Sequence, residues 1–165
     1  MSKVEVIKRK NFSLYRIKKM NKMGEEITER LINDDIEIRL AAKYQFIGKG
    51  EAAMPVLLTI LEEDEREVVR YWVYDIFGGL GVHARTVVPM VLKSLREDDS
   101  ERVRAISAGV LLEIVENFED VVPVLLIAKN KDKSDQVQRT LDMVLYKIAG
   151  KLGYASIEEL TKAFE

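Results

Sequence analysis

Apolar residues along this chain recur at intervals of three and four. Val103, Ser107, Val110, Leu111 and Ile114 mark one such face, and Val137, Leu141, Val144, Leu145 and Ile148 another. That spacing lines up side chains on one side of an α-helix. No segment alternates with period two, so the pattern offers no strand. Polar clusters rich in Asp, Glu, Ser and Asn interrupt the apolar stretches at 63–67, 98–101 and 132–135. They are turn and N-cap residues, with Ser100 and Ser134 placed to cap the helices that follow.

The interruptions are periodic. Pro55, Pro89 and Pro123 are 34 residues apart each time, inside Met-Pro-Val-Leu-Leu, Val-Pro-Met-Val-Leu and Val-Pro-Val-Leu-Leu. Nine residues after each proline stands Asp64, Asp98 or Asp132, and five further on Val69, Val103 or Val137. The next position holds Arg70, Arg104 and Gln138. A shorter copy precedes them at Asn33, Ile38 and Arg39, with 31 residues from Arg39 to Arg70. Proline suits the first turn of a helix, where its missing N–H costs nothing. Each unit therefore reads as two helices joined at the aspartate, and the hairpins span about 23–48, 53–79, 86–116 and 119–150. Ser156 with Glu159 forms a capping-box pattern that opens a last helix to Phe164. A lone hairpin cannot bury its apolar face, whereas stacked ones cover each other. The expected fold is all-α, a right-handed α-solenoid of about four helix hairpins with a C-terminal capping helix. Gly24 and a polar helix from Glu25 to Asn33 would close the other end. The domain reading is a basic arm at 1–22 and one repeat domain at 23–165.

Pro-x-Leu-Leu followed by Asp-x-x-x-x-Val-Arg resembles HEAT repeats. The 34-residue period is most similar to the short type of phycobilisome-lyase-like proteins, over about residues 30–150. The resemblance implies a structural ladder in which turn aspartates bond the arginines of neighbouring units. Carried over, the ladder residues are Arg39, Arg70, Arg104, Asp64, Asp98 and Asp132. A planar guanidinium can bridge two acceptors at once. Gln138 breaks the column in the last unit, where no full fifth repeat needs it.

Composition removes several chemistries. Cysteine is absent and His83 is the single histidine. Disulfides, thiolate catalysis and Cys-based metal sites are excluded, and a His-rich metal cage with them. A HEAT-like di-iron hydroxylase would need paired His-Glu dipeptides, and the sequence has none. His83 reads as an exposed loop imidazole. Gly78-Gly79-Leu80-Gly81 follows a helix and lacks the Gly-Lys-Ser/Thr ending of a phosphate loop, so it reads as a helix stop. Neither cofactor nor metal is expected. Apolar runs such as Val121 to Ala128 are far shorter than the roughly 20 residues of a spanning helix. No secretory leader pattern follows the basic start. The expectation is no membrane and a cytoplasmic location.

Charge is uneven. Residues 1–23 hold eight basic side chains and one acid, so with −2 overall the remainder carries −9. Lys8, Arg9, Lys10, Arg16, Lys18 and Lys19 could meet a polyanion. With Val69, Val73, Ile76 and Phe77 taken as buried, the candidates for an exposed concave face are Tyr71, Tyr74 and Asp75. Lys43 and Tyr44 join them from the first unit, and Arg139, Asp142 and Tyr146 from the fourth. Ala105 and Ala108 would form a smooth patch in the third. Tyrosine beside charge is the composition of protein-binding surfaces. The expected function is a non-catalytic protein-binding scaffold or adaptor. The alternative is nucleic-acid binding through the arm. A HEAT-like DNA glycosylase using Trp72 and Asp75 stands third, because an acidic body opposes duplex binding.

Overall fold

The computed structural model describes residues 22–164. Among the described residues every regular element is helical and none is a strand. Helix α1 covers residues 22–31. The others are α2 (Ile36–Ile47), α3 (Met54–Glu63), α4 (Glu67–Leu80), α5 (Val88–Glu97), α6 (Glu101–Ile114), α7 (Val122–Lys131), α8 (Asp135–Leu152) and α9 (Ile157–Phe164). Short 3₁₀ turns at Gly50–Ala53, Gly81–Val87 and Phe118–Asp120 link one hairpin to the next.

Local chemistry explains the boundaries. Pro55, Pro89 and Pro123 sit in the first turns of α3, α5 and α7. The hairpin turns repeat one device. Asn33, Asp64, Asp98 and Asp132 each accept from the backbone N–H two residues on, at 2.9–3.0 Å. A short side chain thereby folds the turn that a backbone carbonyl would otherwise have to close. Ser100 and Ser134 then cap α6 and α8 by accepting from Val103 and Val137. Ser156 accepts from the Glu159 amide at 3.2 Å. The Glu159 carboxylate returns to the Ala155 amide at 2.7 Å, one residue before the partner a regular capping box would use. Gly81 at φ 58° ends α4 and Gly153 at φ 84° ends α8, in the left-handed region that costs glycine nothing.

The chain divides into two compact units, residues 1–69 and 70–165. In the first, Ile27 and Leu31 of α1, Ala42 and Phe46 of α2, and Leu57 and Ile60 of α3 are buried. In the second, α5 packs on α6 and α7 on α8 as hairpins, while α6 contacts α8 and α5 contacts α7. Helix α9 lies against α7 and α8 with Leu160 buried. Gly78 lets α4 approach α6, since a Cβ there would lie 3.2 Å from Val110 Cγ2. The core is almost wholly aliphatic. Its buried polar pair, Ser94 and Ser107, is satisfied by the hydroxyl–hydroxyl bond between them, 3.0 Å long.

Candidate functional site

The arginine column makes two kinds of bond. One runs backward six residues to a turn carbonyl. Arg104 Nη1 donates to the Asp98 carbonyl at 2.9 Å, and Arg39 Nη1 to that of Asn33. Gln138 Nε2 does the same to Asp132, at 2.6 Å, and also reaches the Lys129 carbonyl at 2.7 Å. The other bond runs forward 28 residues to the next turn. Arg70 grips Asp98 through Nε at 2.9 Å and Nη2 at 2.8 Å. Arg104 grips Asp132 through Nε at 2.6 Å and Nη2 at 3.2 Å. Burial pushes the Asp132 carboxyl up, but the Arg104 bonds and the turn amides outweigh it and hold it below the ordinary carboxylate value.

Asp64 departs from this ladder. Its carboxylate takes Arg66, two residues on, at 2.6–3.2 Å, and that hydrogen bond lowers its pKa. The physical reason is register. Asp64 stands 25 residues after Arg39 where the other rungs span 28, and a cation is available inside its own turn.

On the second helices of the hairpins most of the sequence candidates are open to solvent at least in part, and Tyr74 is not. Tyr74 is 5% exposed and turns inward. Burial raises its pKa, and its hydroxyl meets Ser94 of α5. Ala105 and Ala108 are buried as well, so the third unit has no smooth patch there. Asp142 is exposed but turned toward the first helix of its own hairpin, where Lys129 Nζ holds it at 2.6 Å. Tyr71 is half-buried, edge-on to Trp72 at 5.7 Å with the Arg102 guanidinium 5.3 Å from its ring centre. These positions lie one and four residues after the ladder residue. In the inner hairpins that flank turns toward the next pair of helices. Arg139 and Tyr146 on α8 are exposed, and Lys43 on α2 is half-buried.

A strip about 100° round the helix from Tyr74, half-buried at Trp72, Asp75, Ile106 and Thr140, runs at two before and two, five and nine after the ladder residue. In the second unit it holds Trp72 and Asp75 on α4, then Arg102, Ile106, Gly109 and Glu113 on α6, then Thr140, Met143 and Lys147 on α8. Met143 is 45% exposed. A Cβ built on Gly109 would meet nothing within 4 Å, so the strip is shallow at its middle. In the first unit the same positions give Glu37, Ala41 and Tyr44 on α2, all exposed. Of the sequence candidates, Asp75 lies on the strip of the second unit, and Tyr44 holds the same repeat position on α2 of the first. Arg102, Ile106 and Met143 belong to the strip and were not among them.

No family model, no curated protein and no solved structure matches this chain. Among the described residues, no group of three or more His, Cys, Asp or Glu is arranged to hold a metal ion. No helix there is long and apolar enough to cross a membrane. His83 is exposed within the Gly81–Val87 turn. Lys8, Arg9, Lys10, Arg16, Lys18 and Lys19 lie outside the described residues.

Proposed function

We propose that this chain is a non-catalytic protein-binding scaffold, a HEAT-like right-handed α-solenoid that holds its partner along the open strip of its second helices. One observation carries the reading. Trp72, Ile106 and Met143 place apolar side chains on three successive second helices, with Gly109 leaving room between them and Arg102, Glu113 and Lys147 beside them. Aromatic residues, Met and Arg are the types enriched where proteins meet. Met adapts its shape to a partner at small cost. The repeat pattern of sequence and turns supports the HEAT-like assignment, and such repeats offer extended surfaces of this kind.

The test is affinity capture from the native organism with mass spectrometry, comparing the wild type with Gly109→Trp. The substituted ring enters open space, so the fold should persist, and it fills the strip. A partner retained by the wild type, lost by the variant and indifferent to nuclease supports the scaffold. Capture that disappears with nuclease and survives Gly109→Trp returns the site to the basic arm and to nucleic acid.

A further inference from the structure

A cleft of about 360 Å³ opens between α5 and α7, where both helices end. Its floor is aliphatic. Leu95 and Ala128 are buried there, and Ile127 is 48% exposed. Its walls carry Arg96, Arg104, Lys131 and Lys133 against only Asp98 and Asp132. Both carboxylates are engaged, Asp98 by Arg70 at 2.8 Å and Asp132 by Arg104 at 2.6 Å. Arg96 is exposed, with Glu97 no nearer than 3.9 Å. Lys131 and Lys133 are exposed and make no ion pair among the described residues. A positive rim of this kind is a local reversal of sign, since residues 24–165 carry −9.

Helix C-termini attract cations through the dipole, and the cations here could owe their place to that alone. The end of α3 in the other unit argues against it. There α3 ends on a space of about 300 Å³ that it shares with residues 24–29 of α1, walled by Glu25, Glu29, Glu63 and Asp64 with Arg66 as the cation in its lining. Helix α3 has no basic residue in its last turn. The end of a first helix in this repeat thus does not by itself bring cations, and the positive rim between α5 and α7 is a property of that cleft.

We propose that the cleft between α5 and α7 is a docking site for an acidic peptide segment that carries an apolar side chain. Its carboxylates meet Arg96, Lys131 and Lys133, and its apolar side chain lies on Leu95 and Ile127. The volume falls within the range of specific ligand pockets. A peptide is favoured over single-stranded nucleic acid because the lining holds no aromatic ring on which a base could stack. This surface lies at the ends of the first helices, with Arg104 the one residue from a second helix, and shares no residue with the strip, so either assignment can fail without the other.

The probe is a short fluorescent peptide of alternating glutamate and leucine, titrated with the full chain and followed by anisotropy. Lys131→Glu with Lys133→Glu should weaken binding by about tenfold or more, since each reversed charge turns an attraction into a repulsion. Its melting temperature should fall by no more than a few degrees, since a reversed charge at the exposed end of α7 opposes the helix dipole only modestly. Ile127→Asn should weaken binding while leaving the salt dependence unchanged. Glu25→Lys with Glu29→Lys should leave it intact. No binding by the wild type, or equal binding by the doubly reversed variant, overturns the proposal. Tighter binding of a single-stranded oligonucleotide, lost in the same variant, also overturns it and assigns the cleft to nucleic acid.

Discussion

Removing the Arg104 guanidinium breaks two bonds to Asp132 and two to the carbonyls of Asp98 and Asp99. The side chains of Arg104 and Asp132 are 18% and 9% exposed. An exposed ion pair contributes about 0.2–1 kcal/mol. Breaking a buried one costs about 3–5 kcal/mol, because the surviving charge is left unpaired. With these exposures the loss for Arg104→Ala is nearer the buried limit, about 2–3 kcal/mol. For a chain of this size that lowers Tm by roughly 5–10 °C. Gln138→Ala removes two neutral bonds to carbonyls and should cost about 0.5–1.5 kcal/mol. Circular dichroism melts of the two variants test the difference. Acid sharpens the test. The Asp132 carboxyl is depressed below its ordinary 3.8 in the fold, so its contribution is complete above about pH 4 and is lost as pH falls through the folded value. The gap between Arg104→Ala and wild type should therefore be widest near neutrality and shrink in acid. A double-mutant cycle with Asp132→Asn, which keeps the acceptor for the Ser134 amide, isolates the pair. Equal Tm losses for Arg104→Ala and Gln138→Ala, or a coupling indistinguishable from zero, would refute the ladder.

Gly109→Ala should stabilise the chain by about 0.5–1 kcal/mol, since alanine removes the entropic cost of a helical glycine and its Cβ meets nothing within 4 Å. Gly78→Ala should not, because its Cβ would press on Val110 Cγ2 at 3.2 Å; denaturant midpoints that reverse this order contradict the helix contact. Ser134→Ala should cost about 1 kcal/mol through loss of the cap on α8, measured by urea unfolding, and Ser134→Thr, which keeps the hydroxyl that also donates to Glu101, should cost less. Leu111→Ala empties a fully buried site and should cost about 2–5 kcal/mol, the largest loss among these variants in the same assay.

The helices were legible because prolines and turn aspartates punctuate the sequence at a fixed period, and punctuation is local chemistry. Pro89, Asp98 and Ser100 announce the start of α5, its end and the start of α6 without reference to anything distant. Arg70 with Asp98 was legible only through the resemblance to HEAT repeats, which implies that turn aspartates bond the arginines of neighbouring units. Asp64 was not, because choosing between a distant arginine and Arg66 depends on a register three residues shorter, which the column of aspartates conceals. Among the candidates for the exposed face, Tyr74, Ala105 and Ala108 are buried. Tyr74 and Asp75 are adjacent in sequence and about 100° apart on α4, and hydrophobicity does not tell which of them faces the neighbouring hairpin. The tyrosine is buried, with its hydroxyl at Ser94. Ser94 lies 20 residues further along, on a helix whose placement no local pattern supplies.

The double duty of the turn aspartates makes the length of this chain quantised. Asp98 folds its own turn through the Ser100 amide and at the same time receives Arg70 from 28 residues earlier. Asp132 does both through Ser134 and Arg104. A block of 34 residues excised after Asp98 would leave Arg70 on Asp98 and bring Gln138 into the place of Arg104, where it still closes a turn. Blocks of other lengths would leave a carboxylate facing the wrong residue, as the first copy shows in miniature, where a shorter spacing sends Asp64 to Arg66. Growth and loss by whole units is thus the change this fold tolerates best, and the same rule lets an engineer lengthen it without redesigning a turn.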